Sequence, residues 1–308
     1  MSLTHFIGKL LWHGQKFLVY PSAYLEKPRH VLSPEHYSLN YENIELLTAD
    51  RIILRCYLLR PAKTSSQRKP EASEISEPIE QDAVVSSRGS VIMFHGNGMN
   101  YGDCVSGARH IVKMGYTVLI LSYRGYAHSD GLPSEKGLRK DAQAALDYLL
   151  ADNELSQKPI ILYGHSLGGA VAIDLASRNP FKINALIVQN TFTSLPDVVR
   201  GWPTIGIFSF ICFQKWNSAS KLPRIPKALP ILMLSGDVDQ VVPREHMHTL
   251  WEIAMKRGGN DKDSNEQPDV PPSKDAFRSF IYGSHADTDH QPGYWHAVNE
   301  FLNSLNTP

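Results

Sequence analysis

Ile160-Ile161-Leu162-Tyr163-Gly164-His165-Ser166-Leu167-Gly168-Gly169 runs from a strand-like apolar stretch into a G-x-S-x-G pentapeptide, and Ala170-Val171-Ala172-Ile173-Asp174-Leu175-Ala176 continues it with helical character. The segment reads as strand, sharp turn and helix, with a serine at the apex. Gly164 and Gly168 carry no Cβ, so the backbone can bend tightly enough to hold Ser166 in a strained turn that points out of a sheet. The helix that follows turns its unpaired N–H groups and positive dipole end toward any negative charge developing at that serine. An incidental serine in a Gly-rich loop is the bland alternative, and the two correct flanks argue against it.

Outward from this segment, short apolar runs alternate with segments of helical period. Val91-Ile92-Met93-Phe94 precedes a candidate helix from Asp103 to Lys113, and Thr117-Val118-Leu119-Ile120-Leu121 precedes one from Glu135 to Leu150. Ala185-Leu186-Ile187-Val188 and Pro230-Ile231-Leu232-Met233-Leu234 come later, the latter before a helix from Arg244 to Lys256. Phe277-Arg278-Ser279-Phe280-Ile281 and a helix from Gly293 to Leu305 close the pattern. Continuous apolar strands with helices between them predict an α/β fold: a mostly parallel central sheet with helices on both faces. Right-handed crossovers then gather the strand C-terminal ends, Ser166 among them, along one edge. Ahead of this pattern, Ile44 to Leu47 and Ile52 to Leu58 read as two strands joined by the turn Thr48-Ala49-Asp50.

Three stretches break the alternation. Residues 63–89 and 258–275 are rich in Ser, Glu, Asp, Asn and Pro and poor in large apolar side chains, so they read as flexible insertions. Residues 195–229 are aromatic and punctuated by proline, with Trp202, Phe208, Phe210, Phe213 and Trp216 among them. They read either as extra core helices or as a small helical cap whose aromatic faces line an acyl-sized pocket.

A serine hydroxyl is a weak nucleophile and needs a base within hydrogen-bond reach, itself held by a third group. In strand–turn–helix serine sites the acid and then the histidine follow the serine in the chain. Ser235-Gly236-Asp237-Val238-Asp239-Gln240-Val241-Val242-Pro243 follows one core strand, and Ile281-Tyr282-Gly283-Ser284-His285-Ala286-Asp287 follows the last. Both loops leave the sheet at the edge that carries Ser166. Asp237 and Asp239 compete as the acid, and composition does not separate them. His290 competes with His285, which is favoured because it stands nearer the end of the final strand. His95-Gly96-Asn97-Gly98 directly follows an apolar strand, and its glycines expose backbone N–H groups suited to an oxyanion. The expected donors are the amides of Asn97 and of Leu167, the residue after the serine. His95 is expected to bury its ring and hold that loop.

Composition narrows the function classes. The 308 residues include 31 Lys and Arg against 31 Asp and Glu, so no bulk field recruits nucleic acid or an anionic membrane. The three cysteines, Cys56, Cys104 and Cys212, are scattered and fit no disulfide framework or metal motif. A reducing, cytosol-facing setting follows, either cytoplasmic or peripheral to an intracellular membrane such as the endoplasmic reticulum. The amino-terminal segment 1–35 is too short in apolar run and too polar to span a bilayer, with Lys9, His13, Gln15 and Lys16 interrupting Phe6 to Tyr20. It reads as an interfacial membrane anchor or as an arm packed on the body formed by residues 36–308.

Phe94-His95-Gly96-Asn97-Gly98, Tyr123-Arg124-Gly125-Tyr126-Ala127-His128-Ser129-Asp130-Gly131, Gly164 to Gly169, Gly236 to Pro243 and Gly283-Ser284-His285 together resemble the α/β-hydrolase superfamily. The resemblance is narrower to the serine-hydrolase branch of alpha/beta-hydrolase domain-containing proteins 13 and 17 and the fungal bud-emergence-type proteins. It implies an α/β-hydrolase fold from residue 36 onward and a serine hydrolase cleaving esters or thioesters, with acyl-lipid or S-palmitoyl protein substrates. The family's G-x-x-D-x-x-V-P acid falls on Asp239 and its histidine on His285, which together with Ser166 make the expected catalytic set. No metal or organic cofactor is implied. Ala127 stands where the family usually has glycine, and Ser122 where it often has an acid.

Overall fold

The computed structural model describes residues 19, 20, 23, 30–61, 86–201, 209, 210, 212–258 and 274–305. Most of the amino-terminal segment and of the two expected insertions lies outside the described residues, as do 202–208 and 211 within the cap-like stretch.

Eight strands form one sheet: β1 (Tyr41–Leu47), β2 (Ile53–Leu59), β3 (Ser90–Phe94), β4 (Thr117–Leu121), β5 (Ile160–His165), β6 (Ala185–Gln189), β7 (Ile231–Gly236) and β8 (Ala276–Phe280). Their spatial order is β1-β2-β4-β3-β5-β6-β7-β8. The β1–β2 and β2–β4 pairs are antiparallel, and every other pair is parallel. The strands in the middle are buried along their whole length, which is why they read as unbroken apolar runs rather than alternating ones. β1 lies at the edge and alternates only weakly, with Leu46 facing in and Leu47 exposed.

Seven helices are described: α1 (Val105–Lys113), α2 (Glu135–Ala151), α3 (Leu167–Arg178), α4 (Leu195–Arg200), α5 (Ser218–Lys221), α6 (Glu245–Lys256) and α7 (Tyr294–Ser304). Side chains alternate across a strand, so the sheet owns two cores. One joins Phe94 and Leu162 to Leu138, Ala142, Val171 and Leu250 on α2, α3 and α6. The other joins Met93 and Tyr163 to Val105, Ala108, Val298 and Phe301 on α1 and α7. Helices thus cover both faces, as the alternating pattern predicts. Ser134 caps α2 by accepting the Gly137 N–H at 3.0 Å, and Ser194 caps α4 through Asp197 N–H.

The loop after β4 is locked by charge. Arg124 donates to Asp141 on α2 at 2.8 Å and to both oxygens of Asp50 at 2.9 Å. Burial nonetheless pushes the Asp141 carboxyl up to about 6, against the pull of Arg124. Ala127 in this loop takes a left-handed backbone at φ 44°, a conformation that explains a glycine preference at this position. Its methyl is buried in the second core.

Candidate active site

The turn after β5 delivers Ser166 in a conformation few residues tolerate, φ 53° and ψ −118°. Two backbone approaches explain the flanking glycines. A Cβ on Gly164 would sit 2.2 Å from the Gly168 carbonyl oxygen, and one on Gly168 would sit 2.1 Å from that of Phe94. The strained turn is pinned from the next strand: Ser166 N–H donates to Gln189 O at 2.9 Å, and Thr191 Oγ1 donates to Ser166 O at 2.8 Å.

Three side chains remote in sequence meet at this turn. His285 Nε2 lies 2.9 Å from Ser166 Oγ, and His285 Nδ1 lies 2.7 Å from Asp239 Oδ2. The other Asp239 oxygen accepts the N–H groups of Val241 and Val242, both at 2.8 Å, so the carboxylate cannot swing away from the ring. Its side chain is 1% exposed. The competing acid Asp237 instead donates its backbone N–H to Phe280 O, stitching the end of β7 to that of β8. His290 is largely exposed at the rim of the site, beside Asp289, with no contact to Ser166. The expected acid and base, Asp239 and His285, are therefore the ones the fold brings to Ser166.

Leu167 opens α3, where its N–H has no carbonyl one turn back to bond. Neither that amide nor the amide of Asn97 donates to a backbone carbonyl among the described residues. The Asn97 side chain is tethered at both ends: Nδ2 donates to Val19 O at 2.6 Å, and Oδ1 accepts from Tyr126 Oη at 2.5 Å. His95 is fully buried, packs on the Tyr123 ring at 4.2 Å and contacts Gly96 O through Nδ1 at 2.8 Å. It holds the loop, as its position at the strand end predicts.

Two residues in the constellation carried no signal in the sequence. His165 Nε2–H donates to the His285 carbonyl at 2.8 Å, and burial followed by the neighbouring His285 drives its pKa down to about 4. Asn190, in left-handed backbone at φ 45°, ends β6. Its Nδ2 donates to Ser284 O at 3.1 Å and Thr288 Oγ1 at 2.9 Å, while its Oδ1 accepts the Gly236 N–H at 2.8 Å. One amide thereby ties the loop bearing His285 to the strand that launches Asp239. An Asn after a strand was the only available hint, since Asn tolerates positive φ.

A cavity of about 940 Å³ opens over Ser166 and His285. Leu195, Val198, Val199 and Cys212 of the 195–229 stretch border it. The expectation of aromatic faces there is not met among the described residues. Trp216 is buried with its Nε1–H on Tyr20 Oη at 2.9 Å, and Phe210 and Phe213 are exposed. Among the described residues of this stretch, Leu195, Val198, Val199 and Cys212 face the pocket instead, and the Trp216 indole is consumed by its bond to Tyr20. Tyr20 itself is buried, so that part of the segment packs on the body. No helix among the described residues is long and apolar enough to cross a membrane.

The sheet order, the strained turn after β5 and the Ser166–His285–Asp239 geometry define a protein of hydrolase fold. Comparison with known proteins agrees. The alpha/beta hydrolase fold family matches residues 89–203. Protein bem46 of Schizosaccharomyces pombe is 36% identical over 100% of this chain and 93% of its own length. A Saccharomyces cerevisiae chain named as an uncharacterized membrane protein is 31% identical over 98% of this chain and 93% of its own. An esterase of Pyrococcus furiosus superposes with a TM-score of 0.67 at 19% identity, covering 91% of this chain and 97% of that one. The chain belongs to the alpha/beta-hydrolase family, in its bud-emergence-type branch.

Proposed function

We propose that this protein is a serine hydrolase that cleaves carboxylic esters or thioesters through an acyl-enzyme on Ser166. The observation that carries the reading is the continuous hydrogen-bonded relay from Ser166 Oγ through both nitrogens of His285 to Asp239. Ser166 Oγ attacks the acyl carbon while its proton passes to His285 Nε2. Asp239, fixed by two backbone amides, holds the tautomer that leaves Nε2 free to accept and steadies the imidazolium once formed. The negative charge on the former carbonyl oxygen is met by the Asn97 and Leu167 amides.

The acyl carbon–oxygen or carbon–sulfur bond then breaks, and the Nε2 proton goes to the departing atom. Water attacks the acyl-enzyme with His285 as base, releasing the acid and returning the proton to Ser166. A largely apolar cavity suits a fatty acyl chain, which supports acyl-lipid or S-acylated protein substrates. The name of the Pyrococcus furiosus structure, an esterase, points the same way.

Hydrolysis of a panel of fatty-acyl esters, thioesters and anilides by purified protein tests this reading. Ester or thioester turnover that disappears in Ser166→Ala is the expected result. Turnover of anilides alone, or ester turnover that survives Ser166→Ala, would overturn it.

A further inference from the structure

Met93 and Phe94 are consecutive on β3 and so face opposite sides of the sheet, yet both border the same cavity. Phe94 belongs to the core shared with α2 and α3, Met93 to the core shared with α1 and α7. The cavity therefore straddles the sheet edge and enters both cores, with Ser166 at the saddle. Of the residues lining it, Val19, Phe192, Leu195 and Val198 pack with the first core and mark one lobe. Met93, Met99, Cys104 and Tyr163 pack with the second core and mark the other, with Gly107 lining the cavity beside Met93. A total near 940 Å³ is at the upper end for a small-molecule pocket, more than one modest acyl group needs.

Gly107 gives the second lobe its depth. It is buried in the first turn of α1. A Cβ there would come within 3.3 Å of Met93 Cε and Trp295 Cη2, so a larger side chain presses on Met93, itself a wall of the lobe, and narrows it.

Resting on Ser166 as nucleophile, we propose that the second lobe is the leaving-group subsite, and that the substrate's alcohol or thiol carries a long apolar stem. The departing atom must take its proton from His285 Nε2. Ala286, Asp289 and His290, which follow His285 in its loop, also border the cavity. A leaving group seated on that side exits beside the proton donor, while the acyl chain extends under α4 in the first lobe. Gly107 sets specificity for the leaving group.

The test holds the acyl group fixed as hexanoate and varies the alcohol from methyl through butyl to octyl. Each methylene buried in an apolar site improves transition-state binding several-fold, so kcat/KM rises at least about tenfold along the series in the wild type. In Gly107→Leu the octyl-to-methyl ratio collapses toward unity. A flat wild-type series overturns the proposal whether or not the variant folds. A Gly107→Leu enzyme that keeps the wild-type ratio overturns it as well. Hydrolysis of neither these esters nor the matching hexanoyl thioesters removes both the nucleophile reading and this one, whereas hydrolysis insensitive to the alcohol or thiol removes this one alone.

Discussion

His165 and His285 are joined through backbone rather than ring: the Nε2–H of His165 donates to the carbonyl oxygen of His285 at 2.8 Å. The residue before Ser166 thus positions the backbone of His285. Its side chain is half-buried, and its pKa of about 4 means it stays neutral where an exposed histidine would charge.

That depression carries a sign for stability. The unfolded chain takes up a proton at His165 near pH 6.5, whereas the folded chain resists until about pH 4. Stability therefore falls as pH drops from about 6.5 to about 4, by on the order of 3 kcal/mol from this group. His165→Gln keeps an N–H donor and does not titrate. Urea unfolding of both proteins at pH 7 and pH 4.5 should show a smaller acid loss in the variant, and an equal loss in the two would refute the assignment.

Asn190 predicts a split between binding and turnover. Asn190→Ala releases Ser284 O and Thr288 Oγ1 on one side and the Gly236 N–H on the other. The loops of His285 and Asp239 then lose their shared anchor while the cavity wall is untouched. Displacement of a catalytic group by about 1 Å costs roughly 100-fold, so kcat should fall by about that factor with KM within a few-fold. Steady-state kinetics on a hexanoyl ester decide it, and an unchanged kcat sinks the positioning role.

The elbow glycines give a stability prediction. Gly168→Ala would put a Cβ 2.1 Å from the Phe94 carbonyl, backbone against backbone with no flexible side chain to yield. The expected destabilisation is at least about 3 kcal/mol, read from the urea midpoint. A variant within about 0.5 kcal/mol of wild type contradicts the close approach.

Tyr20 tests the packing of the amino-terminal segment. Its hydroxyl donates to Gln214 Oε1 at 3.1 Å and accepts the Trp216 indole N–H at 2.9 Å, all buried. Tyr20→Phe strands the Trp216 indole N–H, while Gln214 Oε1 keeps the Glu135 N–H at 2.6 Å, and the loss costs about 1–3 kcal/mol. Thermal or urea melts that do not move would show that the contact contributes nothing.

Much of this was legible before any coordinates. The β4 run Thr117 to Leu121 reads off as the strand itself, because a buried parallel strand leaves no polar position to blur its ends. The G-x-S-x-G turn is equally plain, since its chemistry and its backbone demand are local. Asn190 and His165 were not legible, because their partners at Ser284 and His285 lie 94 and 120 residues away. The second lobe was hidden for a related reason. Met93 and Gly107 read as ordinary strand and helix interior, and only tertiary placement shows that they bound a space open to Ser166. Trp216 misled in the opposite sense: an indole in a cap-like stretch suggests a pocket wall, yet its N–H is spent on Tyr20.

The claim on which all the chemistry rests is that Ser166 alone is nucleophilic, made so by His285. Reaction with a fluorophosphonate probe, followed by mass spectrometry of the labelled peptides, measures it directly. The account predicts one adduct, on Ser166, lost in Ser166→Ala and slowed by orders of magnitude in His285→Ala. An adduct on any other residue, or equal labelling of wild type and Ser166→Ala, would contradict it.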